Sequence, residues 1–148
     1  MVERTIVLKG HDKGHHDEFP SGGAITPGMA IELQTNGTVL QQTGTQARAL
    51  TRGLLIAKED ALQGKKITDA YASGDQVFTY RPQEGDHIAC FTKAATNVAF
   101  GDVLIVEGAG SGLFVEAADT ETKGQVRALE TLGVLGANQH VKCEVLAP

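Results

Sequence analysis

DALQGKKITDAYASGDQVFTYRPQEGDHIACF, residues 60–91, decides the fold. Two Gly-Asp pairs, Gly74-Asp75 and Gly85-Asp86, each open an alternating run, Asp75–Tyr80 and His87–Thr92. Glycine enters the left-handed backbone region without a Cβ clash, and an aspartate side chain bonds nearby amides, so each pair is a turn with a mechanism. Pro82 has no N–H to give to a sheet ladder and stops the first strand. Ahead of these runs, Glu59–Gly64 and Ile67–Ala72 each have the length of one helical turn. The stretch reads as two strands behind a polar connector.

The same device recurs on both sides. Pro27-Gly28 turns into a run in which Met29, Ile31 and Leu33 alternate with Ala30 and Glu32. Asn36-Gly37 is a hairpin turn, because both residues tolerate positive φ, and Thr38–Gln41 returns as the partner strand. Further on, Gly101-Asp102 opens Val103–Val106, the glycine-rich Gly108–Gly112 loops back, and Leu113–Val115 returns. The two hairpins correspond position by position: Gly28 with Gly101, Ile31 with Leu104, and Asn36-Gly37 with the Gly110–Gly112 turn.

Other segments add strands. Val2, Arg4, Ile6 and Leu8 share the more apolar face of an edge or half-buried strand, which fits the opening residues better than a signal peptide does. Leu54–Ala57 is a short apolar run of the kind found in buried strands. Residues 43–49 and Asp119–Lys123 are polar connections. Gly124–Gly136 fits either a helix on Val126, Leu129 and Leu132 or two strands divided at Gly133, and its glycines favour strands. Gln139–Leu146 is a final strand with Val141, Cys143 and Val145 on one face. The expectation is a single all-β domain over residues 1–148, a small β-barrel or β-sandwich of about ten short strands with one or two helical turns. Residues 10–23, GHDKGHHDEFPSGG, match no regular element and read as a long loop or extended N-terminal arm.

Composition narrows the function. The chain has 148 residues, 18 glycines, no Trp and a net charge of −5. Its basic residues are scattered, which argues against nucleic acid or a membrane surface as partner. No apolar run approaches the roughly 20 residues that span a bilayer. Cys90 and Cys143 lie in strand-like runs and read as reduced thiols packed as small apolar residues, while a disulfide would require the two strands to pair.

The one metal-like feature is the cluster His11, Asp12, His15, His16 and Asp17. Imidazole and carboxylate suit a divalent ion such as zinc, and His11, His15, His16 and Asp17 are the candidate ligands. Gly10 and Gly14 break the helix that would gather them, so the segment reads instead as a solvated or partner-contacting loop. The Gly108–Gly112 run is followed by a strand and not by the helix of a phosphate cradle. Ser21, Ser73, Ser111, Cys90 and Cys143 are the possible nucleophiles, and none sits in a Gly-x-Ser-x-Gly elbow. His87 and His140 fall in strands and read as surface or interface residues. The expectation is a non-enzyme without a cofactor.

Pro27–Leu33 with Asn36-Gly37, Glu59–Lys65, Ile67–Tyr71, Gly74–Val77, Arg81-Pro82, Gly85-Asp86 and Gly101-Asp102 form an ordered series of short motifs. Over roughly residues 25–115 this series resembles the head decoration, or cement, proteins of tailed bacteriophages. The resemblance implies a structural virion protein, made in the host cytoplasm, that binds the outer capsid surface as a homotrimer at three-fold and quasi-three-fold positions. Such a protein clamps neighbouring copies of the major capsid protein and stabilises the expanded head. Residues 1–23 would then reach onto the capsid or a neighbouring subunit, with Val2, Arg4, His15, His16 and Phe19 as contact candidates and Phe19 as the aromatic anchor. Two other readings fit the residues less well. A cupin-like metal-dependent β-barrel enzyme wants a His-x-His pair on a strand, where this chain has adjacent His15-His16. A carbohydrate-binding β-sandwich wants exposed aromatics, and the chain has two Tyr and no Trp.

Overall fold

Among the residues that the computed structural model describes (5–9, 15–42, 53–108, 110–117 and 125–148) four turns share one design. They span Lys66–Asp69, Ala72–Asp75, Gln83–Asp86 and Ala99–Asp102. In each, the aspartate N–H donates to the carbonyl three residues back, at 3.0–3.1 Å. Its carboxylate accepts the N–H of that same residue, at 2.7–2.9 Å. In the last three, the residue before the aspartate is glycine at φ 89°, 87° and 92°, a conformation that a Cβ would strain. Each of these three turns delivers the chain directly into a strand: β6 (Gln76–Arg81), β7 (His87–Thr92) and β9 (Val103–Val106).

The remaining strands are β1 (Val7–Lys9), β2 (His15–Pro20), β3 (Ile31–Leu33), β4 (Val39–Gln41), β5 (Ile56–Ala57), β8 (Asn97–Val98), β10 (Phe114–Glu116), β11 (Gln125–Ala128), β12 (Gly133–Val134) and β13 (Gln139–Ala147). One 3-10 turn, Ala61–Gln63, is capped by Asp60. The fold is therefore nearly all β, as expected.

Five strands close into a barrel in the order β7–β10–β9–β11–β13, with β13 returning to β7 through a six-residue antiparallel ladder from Gln139↔Thr92 to Glu144↔His87. The β10–β7 contact is parallel and short, at Phe114↔Thr92, and β1 pairs with the other end of the same β7 edge. Side chains of a strand alternate across the sheet. The inward set is Ile88, Cys90, Leu104, Val106, Phe114, Val126, Ala128, Val141, Cys143 and Val145, every one at most 1% exposed. A barrel of five strands has no room for a channel, and these mostly aliphatic side chains fill it. Both cysteines are free thiols within this core.

Against the barrel stands a three-stranded wall, β2–β6–β5, beside the β3–β4 hairpin. Both faces of the wall are apolar. Ile56 and Tyr80, paired across β5 and β6, join the barrel core together with Leu54 and Ala30. Leu55, Ala57 and Val77 face a second core with Ile25, Ile31, Val39 and Tyr71. Burial on both sides explains why Leu54–Ala57 is continuously apolar and not alternating.

Three expectations need correction. Residues 15–20 are not loop or free arm: β2 pairs with β6 over six positions, from His15↔Arg81 to Pro20↔Gln76. Its polar sequence hides the strand, because His16, Asp17 and Glu18 are exposed and only Phe19 and Pro20 are half-buried. Residues 10–14 lie outside the described residues. Ile67–Ala72 forms no helical turn. After the Lys66–Asp69 turn the chain extends, and Tyr71 exchanges both backbone hydrogen bonds with Ile25. Glu32, which alternation separates from the Ile31 face, is buried as well, its carboxylate accepting from Gln34 Nε2 at 2.9 Å. The Gly124–Gly136 segment does form two strands, β11 and β12, and the hairpin at Asn36-Gly37 stands where it was expected.

The turn aspartates are not equivalent. Asp86 is 1% exposed and also accepts the Tyr80 hydroxyl at 2.6 Å. Removing it takes both the turn bond and the bond to a buried phenol, so Asp86→Ala should lower unfolding free energy by roughly 2–3 kcal/mol and Asp102→Ala by only about 1 kcal/mol in urea titrations. Phe114→Ala, which empties the barrel centre, should cost about 3–5 kcal/mol by the same measurement.

Candidate functional site

The residues around Pro27-Gly28 join the wall to the barrel. Gly28 N–H donates to Ala57 O of β5 at 2.8 Å, and Gly28 O accepts the Phe91 N–H of β7 at 2.9 Å. A Cβ on Gly28 would stand 2.8 Å from Ala89 O and 2.9 Å from the His140 ring, so only glycine fits. From β13, His140 Nε2 lies 2.8 Å from Pro27 O, which makes the neutral Nε2–H tautomer the donor, and its ring packs on Phe91 at 4.9 Å between centroids. Burial holds His140 below the ordinary 6.5, an effect only partly offset by the bond to Pro27. His140, expected as a surface or interface residue, is half-buried and clamps the wall to the barrel. Farther along the hairpin, Ala30 N–H donates to Gly112 O at 2.9 Å, and Ile6 N–H donates to the buried Glu59 carboxylate at 2.9 Å.

The N-terminal candidates divide. Val2, Arg4, His11 and Asp12 lie outside the described residues. His15 pairs with Arg81 through its backbone. His16 is exposed, its ring 5.0 Å from that of Tyr80 and its Nδ1 3.1 Å from Lys58 Nζ. Partial burial, and then the Lys58 ammonium, lower its pKa. A cation at that distance also opposes a bound metal ion. Asp17 is exposed, and its carbonyl accepts the Thr79 hydroxyl at 3.0 Å. Phe19 packs against the second core. Among the described residues no group of three His, Cys, Asp or Glu side chains is placed to hold a metal ion.

The candidate nucleophiles are also placed. Ser21 is buried and bonds within its own turn to Gly23. Ser111 Oγ donates to Glu107 Oε2 at 2.6 Å, and the other Glu107 oxygen pairs with Lys93. These bonds, Lys93 first, lower the Glu107 pKa, which leaves it a poor base for the serine. Cys90 is fully buried, and burial, reinforced by the adjacent Cys143 thiol, pushes its pKa up and keeps it protonated. The wall carries an open polar cleft of about 390 Å³, lined by Asp60, Lys65, Asp69, Tyr71 and Asp75 among others. Its carboxylates already accept backbone amides of their own turns. Burial drives Tyr71 up to about 12, and its hydroxyl donates to Lys58 O at 2.7 Å.

Sequence reasoning missed one surface. Phe100 and Leu132, beside the β8–β12 pair, and Val134 of β12 are exposed. The available signal was the absence of charge in residues 94–101 and 131–139.

The His140 clamp has a pH consequence. Its folded pKa is lowered, so the unfolded chain takes up the proton first. Stability should be full above about 6.5, fall as pH drops through that value, and level off below the folded pKa. His140→Gln should flatten this part of the profile in urea titrations run at successive pH values.

Compared with known proteins, the chain matches no family model and no curated protein.

Proposed function

We propose that this chain is a structural decoration protein of a tailed-phage head. It binds the outer surface of the expanded capsid as a homotrimer at three-fold and quasi-three-fold positions and clamps neighbouring copies of the major capsid protein. The observation that carries this reading is where the resembling motifs fall. Pro27-Gly28 is the joint between wall and barrel, Asp60 caps the 3-10 turn, and Gly74-Asp75, Gly85-Asp86 and Gly101-Asp102 are the turns that open β6, β7 and β9. The resemblance therefore rests on residues that set the fold and not on incidental surface positions.

The mechanics are consistent with a clamp. A closed barrel leaves its strands no free edges to peel. The wall shares apolar packing with the barrel core, so load applied to one is carried into the other. Individual contacts to a shell would be weak, and occupancy would come from several contacts per trimer acting together. Phe19 packs its ring on the second core, while Lys9 of β1 and His16, Asp17 and Glu18 of β2 are exposed.

Purified protein added to expanded shells stripped of their own decoration protein should bind to saturation and raise the temperature at which the shells release DNA or collapse. Absence of binding, measured by co-sedimentation at micromolar protein, would reject the reading.

A further inference from the structure

The wall and the β3–β4 hairpin close a second ring with the same strand order as the barrel. The antiparallel ladder β2–β6–β5 continues into the chain at β3, where Ala57 N–H donates to Met29 O at 3.1 Å and Ile31 N–H to Leu55 O at 2.9 Å. β3 pairs with β4, and β4 returns to the end of β2 through the parallel Ser21↔Val39 bridge. Strands β2, β4, β3, β5 and β6 therefore stand where β7, β10, β9, β11 and β13 stand in the barrel. The closing bonds agree: Gly22 N–H to Val39 O and Lys93 N–H to Phe114 O, both at 2.9 Å. Ile31, Val39, Leu55 and Val77 fill the second ring at the positions of Leu104, Phe114, Val126 and Val141 in the first.

The two rings differ along one edge. On the outer edge of β7, the N–H groups of Ala89, Phe91 and Lys93 donate to Ile6 O at 2.8 Å, Gly28 O at 2.9 Å and Phe114 O at 2.9 Å. Their counterparts on β2 are Glu18, Pro20 and Gly22. Ser21 N–H donates to Asp75 O at 2.8 Å, so Phe19 and Asp17 face β6 as Ser21 does, and Glu18 faces away. Gly22 is bonded to Val39, and Pro20 has no N–H to give. Glu18 N–H has no backbone acceptor among the described residues. The seat that the entry into β1 fills on β7 is open on β2 among those residues.

We propose that the outer edge of β2 receives an extended, basic segment of a partner protein, which adds to the wall as an antiparallel strand. The inference deepens the decoration reading and rests on it, since there the segment belongs to the major capsid protein. β1 provides the pattern: it runs antiparallel to β7, and the chain entering it sets Ile6 O on the Ala89 N–H. A strand on β2 takes the Glu18 N–H in the same way, through main-chain bonds that ask little of its sequence. Charge selects the partner. The exposed Asp17 and Glu18 favour lysine or arginine opposite them, and Lys58 is already held on His16 Nδ1 at 3.1 Å. The net charge of −5 draws a basic segment toward the molecule. A second copy that offered its own β2 would bring the same two carboxylates, and Pro20 would deny it a donor.

The test uses the full chain and expanded shells stripped of their own decoration protein. Amide hydrogen exchange is read residue by residue, and Glu18→Pro and Glu18→Gln are compared with wild type by co-sedimentation. In the free protein the Glu18 amide should exchange quickly, while those of Asp17 and Phe19, which face β6, are protected. On shells the Glu18 amide should become protected as well. Glu18→Pro removes the outward donor and spares the β6 ladder, so it should weaken shell binding roughly tenfold. Glu18→Gln keeps the donor and loses only the charge, so it should weaken binding less. Circular dichroism and the urea midpoint check the fold of both variants, and exchange in the wild type decides the question if Glu18→Pro does not fold. Shell-bound wild type whose Glu18 amide exchanges as in the free protein overturns the strand proposal and leaves the decoration reading standing. A folded Glu18→Pro that binds like wild type has the same meaning. Wild type that binds no shell rejects the decoration reading and this assignment together.

Discussion

The six-residue seam between β7 and β13 is the constraint on which the rest of the structure depends. β7 is bonded along both edges: β13 occupies one, while β1 and β10 divide the other between them. That arrangement turns a sheet into a ring and fixes which side chains face inward, since a slip of one residue would send Ile88 and Cys90 outward and His87 and Ala89 in. The single parallel contact at Phe114↔Thr92 completes the ring, and it places the largest barrel side chain at the closure.

From the seam the molecule is extended by a wall with two apolar faces. β5 and β6 contribute Ile56 and Tyr80 to one core and Ala57 and Val77 to the other. Neither core could form without the strands they share. Pro27-Gly28 and His140 secure the arrangement from outside, with the backbone of one layer bonded to the backbone and imidazole of the other. The chemistry-bearing side chains of the described residues are largely absorbed by such structural tasks: Asp86 holds Tyr80, Glu59 holds Ile6, and Glu107 ties Ser111 to Lys93.

Much of this was legible in the sequence because local chemistry dictated it. The Gly-Asp turns announce themselves through glycine φ and aspartate reach. The period of two at Val141, Cys143 and Val145 and the Asn36-Gly37 hairpin needed no tertiary information. What escaped was non-local. β2 carries HHDEFP, which has no strand periodicity and becomes a strand only because β6 offers an edge. β8 is two residues long, too short to leave a pattern, and pairs with β12 thirty-odd positions away. His140 sits at an alternating position that predicts an outward side chain, and its bond to Pro27, 113 residues distant, leaves no mark in the sequence. The apolar ribbon went unnoticed because three exposed hydrophobic side chains drawn from two segments make a patch only when the segments are paired.

The two thiols give the barrel a built-in reporter. Cys90 and Cys143 come from the two strands of the seam and lie fully enclosed, and burial keeps the Cys90 thiol protonated. A water-borne thiol reagent reaches them only during an opening that separates β7 from β13 or lifts a neighbouring strand. The rate at which they are modified in the native protein is therefore a clock for barrel opening. Whatever steadies the barrel, whether a neighbouring copy or a shell, would be read as a slowing of that clock, with no mutation of the chain.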